Sequence, residues 1–299
     1  MIKISYPSIE KIERNLVEAI RIAVTVLPED VRKGLEKALS EERDELSKKM
    51  LKAIITNVKV AEEEGIPICQ DTGIITYYVK VGTKFPYLSK IYDILRNATI
   101  KATKEVPLRP NAVDVITGIN SGNNVGINVP HIDVTIASDN NELEVIVFPK
   151  GGGSETPSIC KVLTPWQGIR EVIRTVLNSI ARYGINACPP LVIGIGIGGT
   201  FEVAARLAKR ALLRGVGKRS NNEAIAELEM KILDLVNRLE IGPLGMGGKV
   251  TALDVHIEVA HRHPATLAMA LCTSCWALRR AVMRVYSDGS IEIAPYTGL

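Results

Sequence analysis

The sequence predicts an α+β fold. Helical periodicity dominates up to about residue 65, whereas several later strand-like segments follow one another without a helix between them. A parallel α/β fold needs regular alternation of strand and helix, which this order lacks. Neither a fixed-period repeat nor a Pro- or Ser-rich linker divides the chain. We therefore expect one compact domain over residues 1–299, with 1–65 mostly helical and 66–299 mixed.

The composition is that of a globular protein with an ordinary charge balance. The chain has 299 residues, 46% of them hydrophobic, which excludes intrinsic disorder. Its 37 basic and 33 acidic residues are interspersed and give a net charge of +4, so nucleic acid is not a predicted partner. No apolar run reaches the about 18 residues of a membrane span, and charges interrupt the start where a signal peptide needs an apolar stretch. Five thinly spread cysteines indicate reduced thiols in the cytoplasm rather than disulfides.

The first 65 residues predict two or three helices. Apolar side chains recur at helical spacing over residues 16–23 and 46–54. Either Pro28 or the charged stretch 41–45 interrupts the pattern. Charged residues on the opposite faces indicate helix surfaces that contact solvent.

The middle of the chain predicts strands on either side of a long loop. The β-branched and aromatic run 74–82 predicts a strand, and a helix is expected over 87–105. Residues 109–128 are crowded with Asn, Gly, Pro and Ser, which predicts an irregular loop of the kind that often carries function. The segments 131–138 and 143–151 predict two strands that form a hairpin through an Asp-Asn-Asn turn.

The second half of the chain mixes helices and strands. Periodicity and composition predict helices over 165–183, 201–213 and 222–239, and strands over 191–197, 250–260, 266–272 and 291–295. The apolar strand 191–197 directly precedes the second of these helices.

A glycine motif lies at the end of that strand. Gly194, Gly196 and Gly199 match the G-x-G-x-x-G pattern of dinucleotide-binding loops. Such loops require a second strand that ends in an acidic residue about 20 positions later, whereas here the sequence continues into another helix. Close packing of the helix on the strand is the competing interpretation, and nucleotide binding stays the alternative.

Three histidines, His256, His261 and His263, lie within twenty residues of Cys272 and Cys275. These residue types could hold zinc. However, C-x-x-C occurs once rather than twice, and the first of the histidines falls in an alternating strand pattern. A structural zinc site is therefore the less favoured interpretation.

The heptapeptide PICQDTG at 67–73 concentrates reactive groups. It places a thiol, an amide and a carboxylate at Cys69, Gln70 and Asp71. If the backbone is extended, Cys69 and Asp71 face the same side, because side chains two apart in a strand do so. The alternative is an ordinary turn in which Asp71 bonds its own backbone. The heptapeptide alone leaves both interpretations open.

Six sequence blocks occur in the order seen in a known family. They are PICQDTG, LRPNAV, PKGGGSE, NACPP, GPLGMGGKVTALDV and HPATLAMALCTSCWALRRA. Over residues 55–283 the chain resembles the α subunit of class I, iron–sulfur-dependent fumarate hydratases and L(+)-tartrate dehydratases. The resemblance implies a hydro-lyase that hydrates fumarate to (S)-malate. Its alternative is dehydration of L(+)-tartrate to oxaloacetate.

The resemblance also implies a cofactor. In that family three cysteines hold a [4Fe–4S] cluster and leave one iron open to substrate, and the matching residues are Cys69, Cys188 and Cys275. Cys272 lies three residues from Cys275, but the family places the ligand directly before the W-x-x-R-R-A stretch. Cys160, in a helix-like stretch, is expected to be a buried thiol.

The resemblance further implies roles for five residues. Asp71 matches the acidic residue that transfers a proton or orients the group that does so. Gln70, Arg109, Gly152 and His263 match residues that bind the dicarboxylate or hydroxy-dicarboxylate substrate. For Arg109 a surface ion pair is the alternative, and for His263 a structural hydrogen bond.

The resemblance finally implies a partner chain. Long members of the family continue into a second domain that supplies further substrate-binding and acid–base residues, whereas this sequence ends soon after the third cysteine block. We therefore expect a separate β subunit that completes the active site, in an α2β2 assembly.

Overall fold

The computed structural model describes residues 6–137 and 139–298. Helix makes up 42% and strand 23% of it, in two mixed sheets, which confirms the α+β class. The chain groups into two compact units. Unit 1 comprises Met1–Pro28, Val58–Gly151 and Arg279–Tyr296, and unit 2 comprises Glu29–Asn57, Gly152–Leu278 and Thr297–Leu299. A single domain over 1–299 stays a prediction, and each unit is described by itself.

Seven helices and nine strands are found in the described ranges. The helices are α1 Ile9–Thr25, α2 Glu29–Glu41, α3 Glu45–Glu64, α4 Ile91–Glu105, α5 Gly168–Tyr183, α6 Phe201–Ala211 and α7 Glu223–Asn237. The strands are β1 Ile74–Gly82, β2 His131–Ala137, β3 Leu143–Lys150, β4 Ile159–Leu163, β5 Leu191–Ile197, β6 Ala252–Val259, β7 Leu267–Ser274, β8 Ala281–Val285 and β9 Ile291–Pro295. Within these ranges every helix is too short or too polar to cross a membrane.

The N-terminal helices form where the periodicity predicts them. Both predicted interruptions, Pro28 and the charged stretch 41–45, separate helices, so the number is three rather than two. Ser8 begins α1 as its N-cap, because its hydroxyl accepts the Lys11 N–H at 3.3 Å. The apolar face of α1 packs into the core of unit 1 through side chains such as Leu16 and Ile20.

Unit 1 is built on a five-stranded sheet in the order β2-β1-β3-β8-β9. The strands 131–137 and 143–150 form as predicted, but the predicted hairpin between them is wrong. β1 lies between them, because Thr76 pairs with both His131 and Phe148. β1 is buried along almost its whole length and therefore takes a neighbour on each side. Ser138, the predicted end of the first strand, lies outside the described residues.

Unit 2 is built on a four-stranded sheet in the order β4-β7-β5-β6. Its centre is β5, the apolar run predicted as a strand, which is buried at every position. Cys160 lies in β4 rather than in a helix-like stretch, so that expectation is wrong. It is half-buried, and its Sγ lies 3.4 Å from the carbonyl oxygen of Phe201. The short ICKVL segment forms a strand because it pairs with β7, a contact that its own sequence does not encode.

The glycines of β5 allow α6 to pack directly on the strand. A Cβ added to Gly194 would lie 2.1 Å from the carbonyl oxygen of Ala208, and one added to Gly196 would lie 2.0 Å from that of Ala204. No larger residue fits such a close approach. After α6 the chain continues into α7 rather than into a strand. The packing interpretation therefore explains this glycine motif.

Replacing Gly196 with alanine is expected to lower the free energy of unfolding by about 3 kcal/mol, because the added methyl meets helix backbone that no side-chain rotation can clear. Urea titration followed by circular dichroism measures the change. Gly126→Ala is the control, since a Cβ there meets nothing within 4 Å. Equal stability of the two variants would contradict the packing interpretation.

Candidate active site

In unit 1 a buried threonine joins the PICQDTG and LRPNAV blocks. The Thr72 hydroxyl oxygen accepts the backbone N–H of Arg109 at 3.0 Å and the side-chain amide of Asn111 at 3.3 Å. The Asn111 amide also donates to the carbonyl oxygen of Gly73 at 3.0 Å. The two blocks, far apart in the sequence, are therefore held together by side-chain hydrogen bonds to the backbone.

Asn124 holds the same backbone from the other side. It is buried and has a positive φ of 60°, a conformation that Asn tolerates better than most residues. Its Oδ1 accepts the Asn111 N–H at 2.6 Å, and its Nδ2 donates to the Arg109 carbonyl oxygen at 3.1 Å. Neither Asn111 nor Asn124 has a role in the sequence analysis. The Asn-rich loop 109–128 is the signal that could have found them.

The PICQDTG segment forms a bend and a turn rather than an extended strand. Asp71 Oδ1 accepts the N–H of Gly73 at 2.9 Å, which is the turn alternative of the sequence analysis. Gly73 has a φ of +79°, and an added Cβ would lie 2.8 Å from the backbone of Lys150. The expectation that Cys69 and Asp71 face the same side depended on an extended backbone, and that condition is not met.

Three predicted site residues share a cleft of about 430 Å³. It is lined by Ile66, Pro67, Cys69, Gln70, Thr72, Pro107 and Arg109. No carboxylate among the described residues pairs with the Arg109 guanidinium, so the surface ion pair is not what the structure shows. Asp71 does not line this cleft. The cleft thus combines a thiol, an amide and a guanidinium, a combination suited to a carboxylate ligand.

In unit 2 the cysteines at 188 and 275 lie in neighbouring segments. Cys188 is exposed and has a left-handed backbone, with φ 53° and ψ 69°, at the end of a 3-10 turn. The N–H of Trp276, which follows Cys275, donates to the Cys188 carbonyl oxygen at 3.4 Å. The N–H of Leu244 donates to the Pro189 carbonyl oxygen at 2.8 Å. Three of the six blocks therefore meet at one end of the unit 2 sheet.

The GGGSE block joins the same group. The Thr273 hydroxyl donates to the Ser154 carbonyl oxygen at 2.7 Å. A Cβ on Gly153 would lie 3.5 Å from the Asn186 carbonyl oxygen, two residues before Cys188. Gly152, the predicted substrate-binding glycine, is exposed and directly precedes the 3-10 turn Gly153–Glu155. The GGGSE turn therefore lies at the same end of the unit 2 sheet as Cys188 and Cys275.

Cys272 and Cys275 differ in their surroundings. Cys272 is buried inside β7 opposite Gly194, and its Sγ lies 3.8 Å from Oε2 of Glu155. Cys275 is half-buried and follows the last residue of the strand. Trp276, the residue after Cys275, donates its N–H to the Cys188 carbonyl oxygen. Cys275 therefore lies closer to Cys188 than Cys272 does. This geometry favours Cys275 over Cys272 as the partner of Cys188.

The structure does not bring His263 to this group. His263 precedes β7, whereas Cys275 follows it, and the 8 residues of that strand span about 23 Å. His263 is exposed, and its Nδ1 accepts the N–H of Ala265 at 3.1 Å, so its Nε2 carries the proton of the neutral ring. This local bond is the structural alternative, and the role of His263 in substrate binding stays a prediction.

His256 is placed for a structural role rather than for zinc. It is fully buried in β6, and its Nε2 lies 3.1 Å from Oδ2 of Asp254. Burial raises the pKa of Asp254, but the hydrogen bond and charge of His256 and the hydrogen bonds from Arg219 and the Gly217 N–H lower it more, and the pKa lies below its ordinary value. Among the described residues no group of three His, Cys, Asp or Glu side chains lies ready to hold a metal ion.

The predicted cysteine ligands divide between the two units. Cys69 belongs to unit 1, and Cys188 and Cys275 belong to unit 2. None of the five cysteines forms a disulfide. Cys69 and Cys275 are half-buried and Cys188 is exposed, so none of the three residues is enclosed in the core.

Comparison with known proteins identifies the family. The family model described as Fumarate hydratase (Fumerase) matches residues 13–284. The chain belongs to the fumarate hydratase family. Members of this family are hydro-lyases and are generally dependent on an iron–sulfur cluster. The resemblance seen in the six sequence blocks is thereby confirmed.

Relatives of this fumarate hydratase family member carry the names of tartrate dehydratase subunits. A protein of Methanocaldococcus jannaschii, named "Putative L(+)-tartrate dehydratase subunit alpha", is 47% identical over 94% of this chain and 100% of its own length. Proteins of Escherichia coli K12 and Shigella sonnei, both named L(+)-tartrate dehydratase subunit alpha, are 39% identical over 91% of this chain and 90% of their own length. The subunit names imply a partner subunit.

Proposed function

We propose that this chain is the α subunit of a hydro-lyase that catalyses the reversible hydration of fumarate to (S)-malate. The observation that carries the proposal is the Thr72 hydrogen-bond network, since it fixes Arg109 beside Gln70 and Cys69 on one cleft. A dicarboxylate substrate needs such a guanidinium, and the family supplies the reaction class.

We propose that Cys69, Cys188 and Cys275 hold the [4Fe–4S] cluster. The donor chemistry fits, because thiolates are the protein ligands of such clusters and these three cysteines are not buried and form no disulfide. Cys160 lies in β4 and Cys272 inside β7, so the remaining cysteines are held within strands of the sheet. When bound, a cluster with three thiolate ligands supplies an iron with an open position that can act as a Lewis acid on the substrate hydroxyl.

Four residues bind the substrate carboxylates in this proposal: Gln70, Arg109, Gly152 and His263. Arg109 donates two parallel hydrogen bonds to one carboxylate, a geometry that lysine cannot reproduce. Its backbone N–H and carbonyl are already fixed by Thr72 and Asn124, so the backbone at this position loses little conformational freedom on binding. Gln70 donates its side-chain amide and Gly152 its backbone N–H. His263 stays in the proposed set without support from the geometry of unit 2.

Asp71 transfers the proton in this proposal, or orients the group that does so. Removing water from malate requires the loss of a weakly acidic proton beside a carboxylate, and a positioned carboxylate can accept it. One oxygen of Asp71 accepts the Gly73 N–H, which fixes the plane of the carboxylate relative to the loop. Asp71 is half-buried rather than enclosed in the core.

L(+)-tartrate is the second candidate substrate. The names of the relatives at 39% and 47% identity favour it. Tartrate differs from malate by one hydroxyl group, and a pocket discriminates strongly only when it hydrogen-bonds or excludes that group. We propose that residues of a β subunit contribute to the discrimination between malate and tartrate. The two subunits are proposed to form an α2β2 assembly in the cytoplasm.

The test is an anaerobic assay of the chain produced together with its β subunit and reconstituted with iron and sulfide. Formation of malate from fumarate is the expected result. Oxaloacetate from L(+)-tartrate, with no turnover of fumarate, would select the second candidate. Absence of turnover with fumarate, malate and each tartrate isomer, in a preparation that takes up iron, would overturn the proposed function.

A further inference from the structure

A buried arginine holds the backbone of the proposed proton-transfer residue. Arg279 is only 2% exposed, and its Nη2 donates to the Asp71 carbonyl oxygen at 2.8 Å. Both residues belong to unit 1. This arginine has no role in the sequence analysis. The two residues that its hydrogen bond joins are 208 positions apart in the sequence.

The remaining donors of Arg279 are not satisfied by the fold. Its Nε and Nη1 are buried and have no hydrogen-bond partner among the described residues. Burying a charged group with unmet donors is unfavourable, and an apolar side chain of similar length would fill the same space without this cost. Stability alone therefore does not account for an arginine at this position. What the guanidinium provides is a donor to the loop that carries Asp71.

The loop has two separate anchors. Thr72 is tied to the backbone of Arg109, which fixes the proposed carboxylate-binding side. The carbonyl of Asp71 is tied to Arg279, which fixes the proposed proton-transfer side. Loss of the Arg279 anchor should therefore impair proton transfer more than carboxylate binding, because the Thr72 anchor stays in place.

We propose that Arg279 is a positioning residue that sets the orientation of Asp71 through its backbone carbonyl. The inference rests on the proposed function, in which Asp71 transfers the proton. A displacement of about 1 Å at a reacting group costs up to about 100-fold in rate, so even a small shift of this loop is measurable.

The test compares Arg279→Met and Arg279→Lys with the wild type in the reconstituted αβ enzyme. For Arg279→Met we expect kcat to fall about tenfold and KM to change less than about threefold, with the iron content and visible spectrum of the wild type retained. Arg279→Lys keeps a donor for the Asp71 carbonyl and should recover part of kcat. Hydrogen exchange of residues 68–73, measured by mass spectrometry, should rise in Arg279→Met more than elsewhere in unit 1.

Arg284→Met is the matched control. Arg284 lies in β8, and its Nε pairs with Glu144 at 2.7 Å, away from the PICQDTG loop. Its loss should leave kcat, KM and the exchange of residues 68–73 unchanged.

Two results would overturn the inference. One is unchanged kcat and unchanged exchange of residues 68–73 in Arg279→Met. The other is exchange that rises throughout unit 1 with loss of iron, which would make Arg279 a structural residue only. A wild type without turnover would instead refute the proposed function, while the exchange of residues 68–73 would still report the anchor.

Discussion

Replacing Cys188 or Cys275 with serine is expected to lower the turnover of the reconstituted enzyme about 100-fold or more and to remove most of its bound iron. Loss of a residue that hydrogen-bonds to a metal ligand lowers metal affinity or activity about 10- to 100-fold. Loss of the ligand itself should therefore lower them at least about 100-fold. Serine has nearly the shape of cysteine, but its hydroxyl does not replace a thiolate in such clusters. Iron analysis, the visible spectrum and the anaerobic assay measure the effect.

The other two cysteines of unit 2 supply the controls. Cys160 lies in β4 with its Sγ near the Phe201 carbonyl, and Cys272 lies in β7 near Glu155. Cys160→Ser and Cys272→Ser should retain the iron and the turnover of the wild type. If Cys272→Ser lost iron while Cys275→Ser kept it, the ligand assignment would be wrong, although the three-thiol proposal itself would survive.

The parts of the fold that depend on local patterns were predictable from the sequence. Amphipathic periodicity is a property of neighbouring residues, so the N-terminal helices and both candidate interruptions follow from it, although it left the number of helices at two or three. Strand 74–82 was equally clear, because its β-branched and aromatic run has no helical alternative. The pairing of strands was not predictable in this way, because it depends on segments that are distant in the sequence. The hairpin between β2 and β3 was wrong because β1, more than forty residues upstream of β2, takes the position between them.

The candidate site divides in the same way. Reactive residues in unusual density, such as Cys69 and Gln70, were visible in the sequence, and the structure places them with Arg109 on one cleft. The groups that hold them were not visible, because Asn124 and Arg279 act through hydrogen bonds to backbone atoms. Such bonds leave no periodicity and no charge pattern in a sequence. The separation of His263 from Cys275 follows from the predicted strand between them, whereas the approach of Cys275 to Cys188 depends on antiparallel pairing of β5 with β7, which a sequence motif does not encode.

Replacing Asp71 with asparagine is expected to lower kcat about 100- to 10,000-fold, the range typical of a lost general acid or base, with little change in KM. The substitution removes the group that accepts the proton but retains the structure of the loop. The Oδ1 of asparagine can still accept the Gly73 N–H that Asp71 accepts at 2.9 Å, so the turn, and with it the positive φ of Gly73, is retained. The carboxylate charge and its basicity are lost. Steady-state kinetics with fumarate and malate measure the split between kcat and KM.

Asp288→Asn is the control for this substitution, because Asp288 makes an equivalent turn in which its Oδ1 accepts the Ser290 N–H at 2.8 Å. It should keep wild-type kinetics and stability. Asp71→Asn should likewise keep the iron content and the unfolding midpoint, because the turn formed by its Oδ1 is retained. If kcat were unchanged, Asp71 would be the turn-forming residue of the alternative interpretation. The proton would then have to be taken by a group outside the PICQDTG segment, which contains no other carboxylate.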